Sequence, residues 1–263
     1  MQNKTAIITG GGMGYKEGGP SIGGSIALRL SKDGYNIVVV DLYETGQKTV
    51  ELIKTKGGEA IFVQADVTKT DDVELIIKTT KETFGGLHYL VNAVARYSPG
   101  MMKNIVEISE EEWNATLEVN LNGYFKMAKY AIPLILESGG GTIVNISSIE
   151  SLVALSNFGV YSVSKAAIDA LTRSIAVDFS PNIRANSVLP GFVKIANSEN
   201  DRSPEELQKW YAGIAQGYPM KRVCETDEIA NVVSFLVSKE SSYINGQAIV
   251  VDGGKLVSDQ HTF

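Results

Sequence analysis

Short runs of β-branched and aliphatic residues alternate along this chain with longer amphipathic segments, and no other feature restricts the fold as strongly. The runs at 6–9, 36–41, 60–64, 89–92, 142–147, 184–189 and 248–251 read as strands, and 22–32, 46–56, 70–84, 109–136, 160–179 and 226–237 read as helices. Strand–helix alternation of this kind means parallel strands with helices on both faces of the sheet. Ile37-Val38-Val39-Val40 is apolar at every position, as a strand buried on both faces requires. The expected architecture is α/β, a doubly wound, seven-stranded parallel sheet in one domain spanning 1–263. Ser109-Glu110-Glu111-Glu112 has capping-box spacing at the head of the longest helix, and Pro133 falls where it would kink or stop that helix. The irregular stretch 192–221, with a helix start at Ser203-Pro204-Glu205-Glu206, reads as a lid or substrate loop.

Bulk properties exclude several classes of function. Of 263 residues, 21% are charged and the formal net charge is −6 with acids and bases interspersed, which argues against nucleic acid as the main partner. No apolar run approaches the roughly 20 residues of a membrane span, and no membrane partner is expected. The first strand begins almost at once, which leaves no room for a signal peptide. A single cysteine, Cys224, and two histidines, His88 and His261, make a disulfide or a cysteine- or histidine-rich metal site unexpected. The expected location is the cytoplasm.

Chemistry enters at Tyr161-Ser162-Val163-Ser164-Lys165, where a phenol and an ammonium stand one helical turn apart on one face. An ammonium beside a phenol favours the phenolate and lowers its pKa from about 10, which suits exchange of a proton with an alcohol or carbonyl oxygen. At the other end of the chain, Thr9-Gly10-Gly11-Gly12 follows the first strand and Ser21-Ile22-Gly23-Gly24 opens the first helix. A glycine turn there lets backbone N–H groups approach a pyrophosphate at the helix N-terminus. The second strand ends at Asp41, the distance at which an acid meets an adenosine ribose; its carboxylate would accept from a 2′-OH and repel a 2′-phosphate, favouring NAD over NADP. Asp66-Val67, after the third strand, is placed to border an adenine ring.

These residues resemble the short-chain dehydrogenase/reductase family, in its Tyr-x-x-x-Lys subgroup, over nearly the whole chain. Ser148 stands thirteen residues before Tyr161; Asn120 lies in Val119-Asn120-Leu121-Asn122-Gly123; Pro190-Gly191 follows the sixth strand; Val251-Asp252-Gly253-Gly254 matches the family's ending. The resemblance implies a Rossmann-type domain and an NAD(H)-dependent oxidoreductase that interconverts a secondary alcohol and a ketone or aldehyde. In it Tyr161 is general acid/base, Lys165 lowers its pKa and holds the nicotinamide ribose, Ser148 bonds the substrate oxygen, and Asn120 connects Lys165 to a relay water. The cofactor set it implies is Gly10, Gly12, Ser21, Ile22, Asp41, Leu42, Asp66, Val67, Asn92, Ala93, Tyr161, Lys165, Pro190, Gly191 and Val193. A homotetramer built on the 109–136 and 160–179 helices is the family's usual assembly, and the tail 255–263 is a further candidate contact.

The chain departs from the family pattern in three places. An insert, 11–20, separates Gly10 from Ser21; Ser21 is expected to replace a glycine as phosphate donor, and Lys16 offers a second route to a phosphate. Ser21-Ile22-Gly23-Gly24-Ser25-Ile26-Ala27 resembles the helix start of enoyl reductases, but the Tyr161/Lys165 spacing sides with the carbonyl/alcohol group. Asn92-Ala93-Val94-Ala95 loses one amide of the usual loop, and Val193-Lys194-Ile195 lacks the usual hydroxyl. Arg96, Glu150 and Phe192 are expected at the substrate, with Tyr97, Phe158, Trp210 and Tyr211 as possible walls. The mixture suggests a small polar substrate such as a polyol, sugar or hydroxy acid. Pairing of Arg96 and Glu150 with each other or with surface charges stays equally open. Two other readings remain beside the first: an NADP-dependent 3-oxoacyl-carrier reductase, and a non-catalytic NAD-sensing regulator.

Overall fold

A computed structural model describes residues 3–14, 19–195 and 202–258. Lys16 and His261 lie outside the described residues. Seven parallel strands form one sheet: β1 (Thr5–Thr9), β2 (Asn36–Asp41), β3 (Ala60–Gln64), β4 (Tyr89–Asn92), β5 (Gly141–Ile146), β6 (Ile183–Pro190) and, last in the chain, β9 (Ala248–Val251). Their order is β3-β2-β1-β4-β5-β6-β9, so the winding reverses between β1 and β4. Register is continuous across the centre, with Ile8 opposite Val39 on one side and Val91 on the other.

The period-2 geometry of a strand sends alternate side chains to opposite faces, and both faces are buried. Ala6 and Ile8 of β1, with Ile37 and Val39 of β2, join one core. That core is closed by the apolar sides of α1 (Ile22–Lys32), α2 (Thr45–Thr55) and α8 (Thr226–Val237). Ile7, Val38 and Val40 point the other way and pack with α3 (Thr70–Phe84), α5 (Gly123–Glu137) and α6 (Gly159–Asp178). Each fully buried aliphatic side chain contributes about 1.5–3 kcal/mol, so the two cores together hold the sheet.

Two expectations are corrected. The segment 109–136 is not one regular helix: α4 (Glu110–Leu117) passes through a π-helical turn, Glu118–Asn122, into α5. The turn carries Asn120, fully buried, and is followed by Gly123, whose added Cβ would lie 2.8 Å from Val67 Cγ2. Pro133 does not stop α5, which runs on to Glu137. At its head, Ser109 Oγ accepts from Glu112 N at 3.2 Å, but Glu112 does not complete the capping box because its carboxylate is committed to Arg96 and Ser98. Within 192–221 the described residues include β7 (Val193–Lys194), which pairs with β8 (Cys224–Glu225), and α7 (Pro204–Gln216). Ser203 heads α7 in a complete capping box with Glu206.

Leu90 sits at 0% exposure in β4, the strand beside the reversal. Leu90→Ala is expected to cost about 2–5 kcal/mol by leaving a cavity there. Denaturant titration should show a lower midpoint with an unchanged slope.

Candidate active site

The reversal between β1 and β4 opens a crevice at the carboxyl ends of these strands, the usual ligand position in a doubly wound sheet. Its floor is the turn after β1. Gly10 takes φ +65, and a Cβ there would stand 2.9 Å from Val94 Cα and N, so turn and β4 loop meet at backbone distance. A Cβ on Gly23 would run into the Gly10 carbonyl, which seats the head of α1 against the turn. Asp41 closes the far side: Oδ2 accepts from Gly12 N at 2.9 Å and Oδ1 from Tyr43 N at 3.1 Å. Burial raises the Asp41 pKa, and the N–H groups of Tyr43, Gly12 and Leu42 oppose that rise.

Ser21, expected as a phosphate donor, has its side chain bonded within the turn. Its Oγ accepts from Gly24 N at 3.0 Å as the N-cap of α1 and lies 3.0 Å from the Gly10 carbonyl and 2.6 Å from that of Gly12. A hydroxyl has one proton, and here it is engaged inside the turn. The insert is drawn together at its base, where Met13 bridges Pro20 in antiparallel fashion and Met13 N donates to Thr45 O at 3.3 Å.

The remaining cofactor candidates divide by what their side chains do. Asn92 is buried at the end of β4, its Nδ2 bonded to Asn145 Oδ1 at 2.9 Å and its Oδ1 without a partner. Ala93 N donates to Thr9 Oγ1 at 3.2 Å. Ile22 is partly buried against the first core, and Leu42 is half-exposed beside Asp41. Asp66 Oδ1 accepts from Thr68 N and Oγ1, while Val67 is buried against Gly123. Pro190 ends β6 opposite Val251, and Gly191 packs beside Tyr218 and Asp252. The Val193 side chain is part of the first core, leaving only its backbone to face a ligand. The close turn, the carboxylate at the end of β2 and the orphaned buried amide oxygen of Asn92 fit a dinucleotide laid across the crevice.

Beyond the crevice, Ser148 follows β5 and caps the 3-10 turn Ile149–Ser151, its Oγ accepting from Glu150 N at 3.2 Å. Its hydroxyl also acts on the phenol of Tyr161, in the first turn of α6, where it favours the ionised form. Lys165, one turn on, is 2% exposed. Its Nζ donates to Ile146 O at 3.0 Å and lies 5.5 Å from the Tyr161 ring centroid and 5.8 Å from that of Tyr124. Burial pushes Tyr161 up to about 12, against the effect of the Ser148 hydroxyl, and pushes Lys165 down to about 8, against the attraction of Asp169. In the protein alone burial therefore outweighs any lowering of Tyr161 by Lys165, whose ammonium is spent on a carbonyl.

Asn120, buried in the π-helical turn, bonds the chain on both sides of the site. Its Oδ1 accepts from Arg96 N at 2.7 Å and its Nδ2 reaches Ser164 Oγ at 3.3 Å; Ser164 Oγ in turn donates to Tyr161 O at 2.7 Å. Asn120 thus holds the backbone around Tyr161. Arg96 takes neither the pocket nor Glu150: its Nη2 bonds Glu112 at 3.0 Å. Phe192 packs with Trp210 and Tyr211, at ring distances of 5.3 and 6.2 Å. Tyr97 and Phe158 stand edge-on to Tyr161, at 6.3 and 6.1 Å. Glu150 Oε2 is buried without a partner; burial raises this carboxyl's pKa and Lys255 opposes that rise.

Sequence reasoning missed Tyr124, whose hydroxyl lies 2.9 Å from Val94 O and 3.1 Å from Ile146 O. Its place four residues after Asn120, on the same helical side, was the available signal. Tyr218 and Lys255, which meet beside Glu150, had none, because only tertiary folding joins them. Among the described residues no group of three His, Cys, Asp or Glu side chains could hold a metal, and no helix is long and apolar enough to cross a membrane.

Lys165 also carries a stability consequence. Its folded pKa of about 8 lies below the ordinary 10.5. The folded state is therefore penalised fully below pH 8, and the penalty fades as pH rises to about 10.5. The depression corresponds to a penalty on the order of 3 kcal/mol. Lys165→Met should accordingly raise the melting temperature at pH 7 and lose that advantage by about pH 10.5, as calorimetry across this range would show.

A family model described as Enoyl-(Acyl carrier protein) reductase matches residues 19–255. An uncharacterized oxidoreductase of Thermotoga maritima is 41% identical over 97% of this chain and 98% of its own. The cyclohexanol dehydrogenase of an Acinetobacter species is 35% identical over 96% and 95%. A 3-oxoacyl-[acyl-carrier-protein] reductase of Staphylococcus epidermidis is 34% identical over 96% and 98%. The ligand-free structure of Thermoplasma acidophilum aldohexose dehydrogenase superposes with a TM-score of 0.88 at 30% identity, over 100% of this chain and 97% of that one. With matches over nearly its full length and the glycine turn, Ser148, Tyr161 and Lys165 brought to one end of the sheet, this chain belongs to the short-chain dehydrogenase/reductase family and is an oxidoreductase.

Proposed function

We propose that this protein is an NAD(H)-dependent dehydrogenase that interconverts a secondary alcohol and its ketone or aldehyde. The observation that carries the reading is the grouping of the Tyr161 phenol with the Ser148 hydroxyl, which opposes the rise of its pKa, and with the Lys165 ammonium 5.5 Å from its ring centroid. Bound there, the nicotinamide cofactor would supply hydride acceptance and donation. Gly10, Gly12, Ile22, Asp41, Asn92, Ala93 and the Pro190-Gly191 turn would hold it, with Lys165 on its ribose. Ser148 orients the substrate oxygen, and Tyr161 exchanges the proton with it.

With its pKa raised, Tyr161 is a neutral phenol at pH 7 and is set to donate its proton as a carbonyl is reduced. In the oxidative direction it must first lose that proton. Oxidation should therefore accelerate as pH rises, and reduction should fall at the alkaline end. Tyr161→Phe is expected to lower turnover by roughly 10²–10⁴-fold while NADH binding, followed by fluorescence, persists. Full activity in that variant would sink the mechanism and return weight to the sensor reading, for which a placed acid/base has no use.

The Asp41 carboxylate at the end of β2 supports NAD. The second reading, an NADP-dependent 3-oxoacyl-carrier reductase, draws on the staphylococcal relative. Asp41→Ala should narrow the preference for NADH over NADPH at least about tenfold, one hydrogen-bond equivalent, in paired titrations. An unaltered wild-type preference for NADPH would favour the second reading. A cytoplasmic homotetramer without nucleic-acid or membrane partners is the assembly we propose, supported by the exposed Phe125 of α5 and Val163 and Val177 of α6.

A further inference from the structure

Beside the proton-transfer groups lies a polar feature to which that chemistry gives no task. Glu150 sits two residues after Ser148, and its N–H is held by Ser148 Oγ at 3.2 Å. This fixes the root of its side chain next to Tyr161, and the two side chains interact electrostatically. Glu150 Oε2 is buried with no hydrogen-bond partner. Buried carboxylate oxygens are ordinarily supplied with donors, so an orphan two residues from Ser148 points to a donor that comes with the ligand.

The opposing charge is Lys255, carried by the turn after β9. Asp252 builds that turn, accepting from Gly254 N at 2.9 Å and Leu256 N at 2.7 Å. It brings Lys255 Nζ to 5.5 Å from the ring centroid of Tyr218, whose hydroxyl accepts from Phe192 N at 2.8 Å. Tyr218 also feels the Glu150 charge, so the three side chains share one neighbourhood. Among the described residues Glu150 and Lys255 do not approach within the 4.0 Å of an ion pair. An acceptor and a donor thus stand separated, each with capacity to spare. On the other side of Tyr161, Tyr97 and Phe158 present aromatic surface at ring distances of 6.3 and 6.1 Å.

We propose that Glu150 and Lys255 together read a hydroxyl adjacent to the reacting carbinol, so that the substrates are ring-borne vicinal diols of the sugar or cyclitol kind. The inference rests on the alcohol/carbonyl reading and narrows it. A hydroxyl is both donor and acceptor, and it satisfies Glu150 Oε2 with its proton while accepting from Lys255 Nζ. A hydroxy acid would set a second carboxylate beside Glu150, and like charges disfavour that. A plain cycloalkanol or an acyl chain would leave both polar groups desolvated and unanswered. The C–H face of a ring suits Tyr97 and Phe158.

The test compares trans-cyclohexane-1,2-diol with cyclohexanol, using NAD and NADP in turn. The wild type should show kcat/KM for the diol about a hundredfold above that for cyclohexanol, the scale on which a site built for a hydroxyl rejects an analogue lacking it. Glu150→Leu should lose that preference by impairing the diol and improving cyclohexanol several-fold. Glu150→Gln, which keeps an acceptor oxygen, should retain part of it. NADH binding followed by fluorescence shows whether each variant is folded. Equal use of both alcohols by the wild type, or an equal loss on both in Glu150→Leu, overturns the inference and leaves the dehydrogenase reading intact. Turnover of neither alcohol with either cofactor counts against the dehydrogenase reading and against this inference with it.

Discussion

The carbonyl of Ile146 is the point on which the site depends. It ends β5, and it receives both Lys165 Nζ at 3.0 Å from α6 and the Tyr124 hydroxyl at 3.1 Å from α5. Three elements that come together only through the sheet are thereby tied at one oxygen. A buried ammonium needs such an acceptor, because an unpaired charge in the interior is far more costly than a paired one. Tyr124 extends the tie to Val94 in the loop after β4, the same loop that packs at backbone distance on Gly10. The crevice and the Tyr161/Lys165 pair are thus joined through hydrogen bonds that converge on strand ends.

A second tier of contacts fixes the backbone around Tyr161. Asn120 faces inward from the π-helical turn and spans from Arg96 N to Ser164 Oγ, and Ser164 bonds the Tyr161 carbonyl. Arg96 is in turn anchored by Glu112 near the start of α4. Charge is used here for placement, with Arg96 turned to Glu112. The arrangement carries a thermodynamic tension: burial drives Tyr161 and Lys165 towards their neutral forms, which destabilises the fold whenever Lys165 is charged. Sites that store such tension are commonly less stable than their scaffold would allow.

Legibility in the sequence followed physical range. The seven sheet strands were readable because hydrophobic period and burial on both faces are local properties, and Ile37-Val38-Val39-Val40 declares them without help from the rest of the chain. The place of Asp41 at the end of β2 and the grouping of Ser148, Tyr161 and Lys165 were readable because strand ends and helical spacing are local properties too. The π-helical turn was not, since one extra residue in a helix barely disturbs its apolar pattern. Nor was the commitment of Arg96 to Glu112, where two charges far apart in sequence find each other through the folding of the loop after β4. The N-cap contacts of Ser21 were not legible for a related reason: a hydroxyl at a helix head serves an N-cap or a ligand, and the carbonyls of Gly10 and Gly12 that it meets are placed by the fold.

That last point bears on how the insert is tolerated. A longer connection between β1 and α1 would ordinarily loosen the turn, because each added residue widens the ensemble that must be closed. Here the closure is made from outside the insert. Ser21 gathers the carbonyls on its near side, Thr49 Oγ1 bonds Gly11 O at 2.8 Å, Thr45 O accepts from Met13 N, and Asp41 takes the Gly12 N–H. Asp41 consequently serves two ends at once. It orders the turn, and it presents a carboxylate at the end of β2 whose orientation is already set by Gly12 and Tyr43. Under the NAD reading proposed above, cofactor preference and the integrity of the glycine turn become one property of one side chain, and selection for a different nucleotide would have to rebuild the turn as well as exchange the charge.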